Sequence, residues 1–290
     1  MNTNDIQKLI DDLPSSGGLI QLPVGVHEIT SPLLLNKSFV EIRGIGTGGG
    51  WCNQEQKRGA VTLEWDGPSA DFMLKIDGPK GSISGVKVSG ICFDCNGKVG
   101  AMELRSLVKC SIEDIMIFNV RTPCAISMGI SEIGGGCDCH GTVLRNITGC
   151  NYGNYGTALS LLKLQGGNDW NKCHVTKCIF DHIERVGNFF NTIYVGPRVQ
   201  TNKFRDISAV GSCIGYVVIV DGGSVYGDTC YDNVFDGVMS DEDMVGVKLG
   251  ACRNTVIEHL GTGRVFVATP DAINWSVSWN DGTRRKYEVR

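Results

Sequence analysis

The sequence predicts an all-β chain, a parallel β-helix of stacked three-strand coils closed at its start by one short helix. Three observations carry this. A four-residue unit (an apolar residue, two polar or small ones, then an aliphatic) recurs seven times. Its spacing has a floor of 22–24 residues with occasional enlargements, as stacked coils with inserted loops would give. Glycine is 39 of 290 residues, well above the usual share of about 7%, whereas proline is only 8. Hydrophobic residues at 42% and charged residues at 20% exclude global disorder, and glycine without a triplet period excludes collagen.

The first element is the helix. Ile6, Leu9, Ile10 and Leu13 recur at helical spacing, Asn4 with Gln7 has capping-box form, and Pro14 to Gly18 stops the helix. Short strands follow at Leu19–Leu22, His27–Thr30 and Phe39–Ile42.

The repeat units begin at Val88, Ile112, Leu144, Phe180, Phe204, Phe235 and Ile257. Two apolar side chains separated by two residues cannot both face inward on a straight strand of period two. A corner must lie between them, with its second residue in left-handed conformation. That slot holds Gly90, Asp114, Asn146, His182, Asp206, Gly237 and His259, which are the residue types that best tolerate positive φ. A third strand is expected in each coil at Ala101–Leu104, Ala125–Met128, Leu159–Leu161, Thr192–Val195, Val217–Val220, Val247–Leu249 and Val265–Val267. At ~4.8 Å per coil, seven repeats extend roughly 34 Å. The expected division is residues 1–17 as cap, 18–269 as β-helix and 270–290 as a tail that covers the last coil or meets a partner.

Bulk properties narrow the function classes. A net charge of −4 and a pI near 5.8 argue against a general nucleic-acid binder. No run of eighteen apolar residues offers a membrane span. The start, Met1 to Asp5, lacks the basic-then-apolar pattern of a secretion signal, so synthesis in a cytoplasm with reduced thiols is expected. Thirteen cysteines cannot all pair internally.

The run from Asp5 to Asp11, then Gly17 to His27, Ser31-Pro32-Leu33, Glu41 to Gly44 and Phe93 to Gly97, resembles the right-handed parallel β-helix superfamily of pectate lyases and related glycan-active proteins, phage tailspikes among them. The resemblance covers nearly the whole chain and is specific for fold rather than activity. It implies an extended, acidic polysaccharide as partner, a homotrimer, and a virion-associated protein or one released by lysis. The polygalacturonase-type motifs Asn-Thr-Asp, Asp-Asp, Gly-His-Gly and Arg-Ile-Lys are absent. The strand face matching the lyase carboxylate cluster, expected at Glu103, Ser127, Ser160, Thr192, Tyr194 and Lys248, is mostly hydroxyl.

Candidate chemistry lies in the loops after the third strands, because insertions in stacked coils decorate one face. Asp138 and Asp169 form the expected acid pair, with His140 and Arg198 completing the catalytic set; Arg198 would hold an acidic sugar. Trp170, Tyr194, Asp221, Tyr226 and Asp228 are the expected substrate contacts, with Trp170 as a stacking platform. The alternative is that Asp and Asn in Gly-rich loops only make turns. In that reading the protein is a non-enzymatic structural or receptor-binding β-helix. The second repeat position (Glu113, Arg145, Asp181, Arg205, Asp236, Glu258) reads as a surface ion ladder. The cysteines read as buried apolar thiols rather than zinc ligands, and no cofactor or metal is expected.

Overall fold

The structure is a computed structural model describing residues 1–46, 60–78, 81–121, 123–129, 138–151, 158–166, 174–211, 215–222, 230–240, 245–261 and 265–279. Its strands pair in parallel, coil upon coil, in three sheets of twelve, nine and seven strands, giving a right-handed parallel β-helix.

Every corner residue named above has positive φ: Gly90 at 67°, Asp114 at 53°, Asn146 at 53°, His182 at 54°, Asp206 at 50°, Gly237 at 75° and His259 at 53°. In the first two coils the two halves of the unit are separate strands, Gly18–Gln21 with Gly25–Ile29, and Val40–Arg43 with Val61–Trp65. From Lys87–Asp94 onward they merge into one strand bent at the corner, so the strand–corner–strand belongs to a single twelve-stranded sheet. The ladder skips the corner residue, as between Glu113↔Arg145 and Ile115↔Ile147. All seven third strands are present and form the nine-stranded sheet with Leu33–Leu35 and Phe72–Ile76.

The third wall is a narrow sheet of two-residue strands, including Leu107–Val108, Cys139–His140, Val175–Thr176, Val199–Gln200, Cys230–Tyr231 and Cys252–Arg253. Two residues carry no legible periodicity. A second left-handed column follows these strands: Gly85, Lys109, Gly141, Lys177, Thr201, Asp232 and Asn254.

The core is built in columns because parallel register repeats each inward slot. Phe180, Phe204 and Phe235 stack with ring centroids 4.7 and 4.3 Å apart. A buried polar column, Thr142, Cys178, Asn202 and Asn233, runs beside them. The Cys178 N–H donates to Asn202 Oδ1 at 2.9 Å, and Asn202 Nδ2 donates to Asn233 Oδ1 at 3.1 Å. Arg185 also points into this interior, opposite the small residues Gly149 and Ala209, with its Nε donating to Thr192 Oγ1 at 2.9 Å.

Eight cysteines among the described residues are free and buried, as expected of thiols that fill a narrow core. Burial pushes the Cys124 and Cys178 thiols up to about 12, so they are inert at neutral pH. Cys150 differs from the all-reduced expectation, since it is disulfide-bonded.

The helix runs Thr3–Asp12, and its capping box is Asn2 with Asp5 rather than Asn4 with Gln7. Gln7 instead ties the helix to the first coil, donating to the Leu34 carbonyl and accepting the Leu34 N–H. Ile6 and Ile10 are buried, whereas Leu9 is 39% exposed. Lys37 Nζ donates to the carbonyls of Ile10, Asp11 and Leu13, neutralising the negative end of the helix dipole. At the other end the ladder runs past residue 269: Ser276–Trp279 adds a strand to the twelve-stranded sheet.

Candidate functional site

In each two-residue strand of the narrow sheet the first side chain faces the core and the second faces out. Cys139, Val175 and Val199 are therefore fully buried, while His140, Thr176 and Gln200 form an outward column with Val108. Neighbours in this column stand one coil apart, ~4.8 Å.

The residue before each of two successive strands completes the site. Asp138 precedes Cys139 and His174 precedes Val175, so parallel register sets the two side by side. The His174 N–H donates to Asp138 Oδ1 at 2.8 Å, and His174 Nδ1 lies 3.4 Å from the same oxygen. One residue beyond the strand start, His140 Nδ1 and Thr176 Oγ1 share a hydrogen bond of 3.1 Å. These four side chains, with Ser82, Val108 and Gln200, line a groove of about 420 Å³. Exposed Lys109 and Lys177 occupy the corners immediately after Val108 and Thr176.

The arrangement has defined chemical capacity. An imidazole beside a carboxylate is held in one orientation and works as a proton acceptor near neutral pH. Two imidazoles from adjacent coils can address successive units of a chain laid along the helix axis.

The expected site residues divide. Asp138 and His140 meet in this groove. Arg198 does not join them: it is 2% exposed, and its carbonyl accepts the Val175 N–H, so its guanidinium is enclosed instead of lining an edge. Tyr194 stands on the outer column of the nine-stranded sheet, where burial and then the Asp221 charge raise its phenol pKa. Asp221 follows the next strand, and the Ala251 N–H donates to its Oδ1 at 3.4 Å. Asp169, Trp170, Tyr226 and Asp228 lie outside the described residues.

Two features escaped sequence reasoning. His174 belongs to no local motif, and its one signal is that it follows Asp138 by 36 residues, the same interval that separates Leu144 from Phe180. The outer column of the nine-stranded sheet reads Lys75, Glu103, Ser127, Lys163, Tyr194, Ile219 and Lys248. It is cationic rather than hydroxyl-lined: Lys163 takes the place expected for Ser160, and Ser160 and Thr192 are buried.

No protein-family profile and no characterised protein matches the chain by sequence. Solved structures do match in fold. The A-module of the mannuronan C-5 epimerase AlgE4 from Azotobacter vinelandii superposes with a TM-score of 0.61 at 14% identity, covering 95% of this chain and 75% of that one. The endo-xylogalacturonan hydrolase of Aspergillus tubingensis gives 0.61 at 12% identity, covering 97% and 90%. The tailspike of E. coli bacteriophage HK620, solved with a pentasaccharide, gives 0.58 at 14% identity over 93% of this chain. This chain spans 48% of that tailspike's length. At these identities the likeness defines the fold class, the right-handed parallel β-helix.

Proposed function

We propose that this chain binds an extended, acidic polysaccharide and cleaves it at the groove on the narrow sheet. The observation that carries the reading is the convergence of Asp138, His140, His174 and Thr176, from two successive coils, in one groove of about 420 Å³. Fold neighbours whose names include an epimerase module, a glycan hydrolase and a tailspike solved with a pentasaccharide support a glycan as ligand.

Of the two cleavage chemistries, β-elimination fits the described groove better. It needs a base to take the proton α to a uronate carboxylate, while the glycosidic C–O bond breaks and the leaving oxygen gains a proton. His174, oriented by Asp138, supplies the base, and the exposed Lys109 and Lys177, each next in sequence to a lining residue, would neutralise the carboxylate. Hydrolysis needs two carboxylates across the bond. Among the described lining residues Asp138 is the one carboxylate. As in tailspikes, the protein would act on a virion or after lysis, as a trimer.

A depolymerisation screen on uronate-containing and neutral glycans, read by reducing ends and by absorbance of unsaturated products, tests this. Unsaturated products from wild type and their loss in His174→Ala support the proposal. Reducing ends without unsaturation would overturn elimination. Binding without cleavage of any glycan would favour a receptor-binding shaft.

A further inference from the structure

We propose that the outer face of the nine-stranded sheet carries a second ligand site, a pocket near the N-terminal end that takes a compact carboxylate. It lies on a different sheet from the groove above, on the coils that also contribute Ser82 and Val108 to that groove. The pocket, about 230 Å³, is lined by Leu34, Asn36 and four charged side chains, Lys75, Asp77, Glu103 and Arg105.

Register makes the quartet. Lys75 pairs across the ladder with Glu103, and Asp77 and Arg105 each follow two residues later, so opposite charges alternate both along and across the strands. Within it, Arg105 hydrogen-bonds Glu103 through its terminal nitrogen. The other pairs are longer than hydrogen bonds: Lys75 to Glu103 is 3.9 Å, Lys75 to Asp71 is 3.8 Å and Arg105 to Asp77 is 3.8 Å. Among the described residues the Lys75 ammonium makes no hydrogen bond, and Arg105 Nε is buried without a partner. The cations thus surround a gap that a carboxylate oxygen could bridge with charge-assisted bonds.

Glu103 gives the site a proton-linked character. It is 8% exposed, and burial raises its pKa against the pull of Arg105 and Lys75. Facing it are Arg105 on its own strand, Lys75 and Asp71 from the preceding coil, Asp77 across Arg105, and Ser127 and the Cys124 thiol from the following coil. An incoming anion favours neutral Glu103. Once protonated, Glu103 donates a hydrogen bond and stops competing for Arg105. Binding therefore takes up a proton.

Calorimetric titration with D-glucuronate, an oligoglucuronate and D-glucose tests the site, at about pH 5 and about pH 7.5. Glucuronate is expected to bind roughly tenfold tighter at the lower pH, with proton uptake, while glucose does not bind. Binding of the free acid alone identifies a monosaccharide site, and equal binding of the oligomer identifies the acidic unit of a chain. Glu103→Gln is expected to bind at the higher pH as wild type does at the lower, without pH dependence. Lys75→Met, at a partly exposed position, is expected to weaken binding about tenfold with an unchanged melting temperature, and it serves if Glu103→Gln fails to fold. Absence of glucuronate binding, equal binding of glucose, retained pH dependence in Glu103→Gln, or no effect of Lys75→Met would each overturn the proposal. Loss of polysaccharide cleavage in His174→Ala leaves this result untouched, so the two sites are tested separately.

Discussion

Asp138 and His174 stand 36 residues apart in sequence and one coil apart in space, with His174 Nδ1 3.4 Å from Asp138 Oδ1. The carboxylate also accepts the His174 N–H at 2.8 Å, so it fixes both the backbone and the ring of the residue proposed as base. This relationship exists only because the intervening loop gives the coil its length.

Removing the base should therefore cost more than removing its partner. His174→Gln is expected to lower the rate of unsaturated-product formation by ~10²–10⁴, the usual contribution of general base catalysis. Asp138→Asn keeps an acceptor for the His174 N–H but loses the charge. Its expected effect is a smaller loss of rate, because the ring of His174 is less firmly oriented. An unchanged rate would show that the Asp138 charge plays no part in the reaction.

The exposed pair His259–Asp236, 2.7 Å apart, gives a pH signature on the twelve-stranded sheet. The hydrogen bond to Asp236, then its charge, raises the His259 pKa. A raised folded-state pKa means the stabilisation is fully present below the unfolded value of about 6.5 and is lost as pH rises through the folded value. Asp236→Asn should return the His259 titration, followed by NMR, toward that ordinary value.

The aromatic column should be sensitive at its centre. Phe204 is fully buried and stacks on both Phe180 and Phe235. Phe204→Ala is expected to cost ~3–5 kcal/mol by loss of transfer energy and a residual cavity. Phe204→Leu should cost distinctly less. The midpoint of chemical denaturation checks both.

Asn233 stands in the interior polar column between Asn202 and the buried Thr255. Its Oδ1 accepts from Asn202 N–H and Nδ2 at 3.2 and 3.1 Å, and its Nδ2 donates to the Val199 carbonyl at 2.9 Å. Asn233→Ala orphans buried partners at about 1–3 kcal/mol each. Asn233→Leu should not recover the loss, because the stranded groups on Asn202 remain.

Corner chemistry offers the plainest check on the repeat. Asn146 holds φ at 53° while its Nδ2 donates to Asp114 Oδ1 at 2.8 Å. Asn146→Val is expected to destabilise by about 1–3 kcal/mol, since a β-branched residue is strained there. Asn146→Gly should lose little more than the exposed hydrogen bond, by the same denaturation assay.

Much of the architecture was written locally. The left-handed slot admits few residue types, and the paired apolar positions must face one core, so Gly90, Asp114, Asn146, His182, Asp206, Gly237 and His259 announced the corners and the fold with them. The narrow sheet left no such trace, because two residues cannot display a period. Its inward members Cys139, Cys230 and Cys252 share no local motif that places them on one strand column, and neither do its outward members His140, Thr176 and Gln200.

Chemistry at a surface depends on which coils are neighbours and on how far each loop carries the chain before it returns to register. Coil lengths here vary from 22 to 36 residues, so no fixed spacing marks the partners of a side chain. The sequence alone determined that this protein is a stack of parallel coils with an N-terminal cap, because sterics and burial act within a few residues. Only the tertiary structure decided that Asp138 meets His174, that Arg198 is enclosed, and that Lys75, Asp77, Glu103 and Arg105 form a quartet. Those outcomes are fixed by hydrogen-bond register between coils, a property that no short stretch of sequence contains.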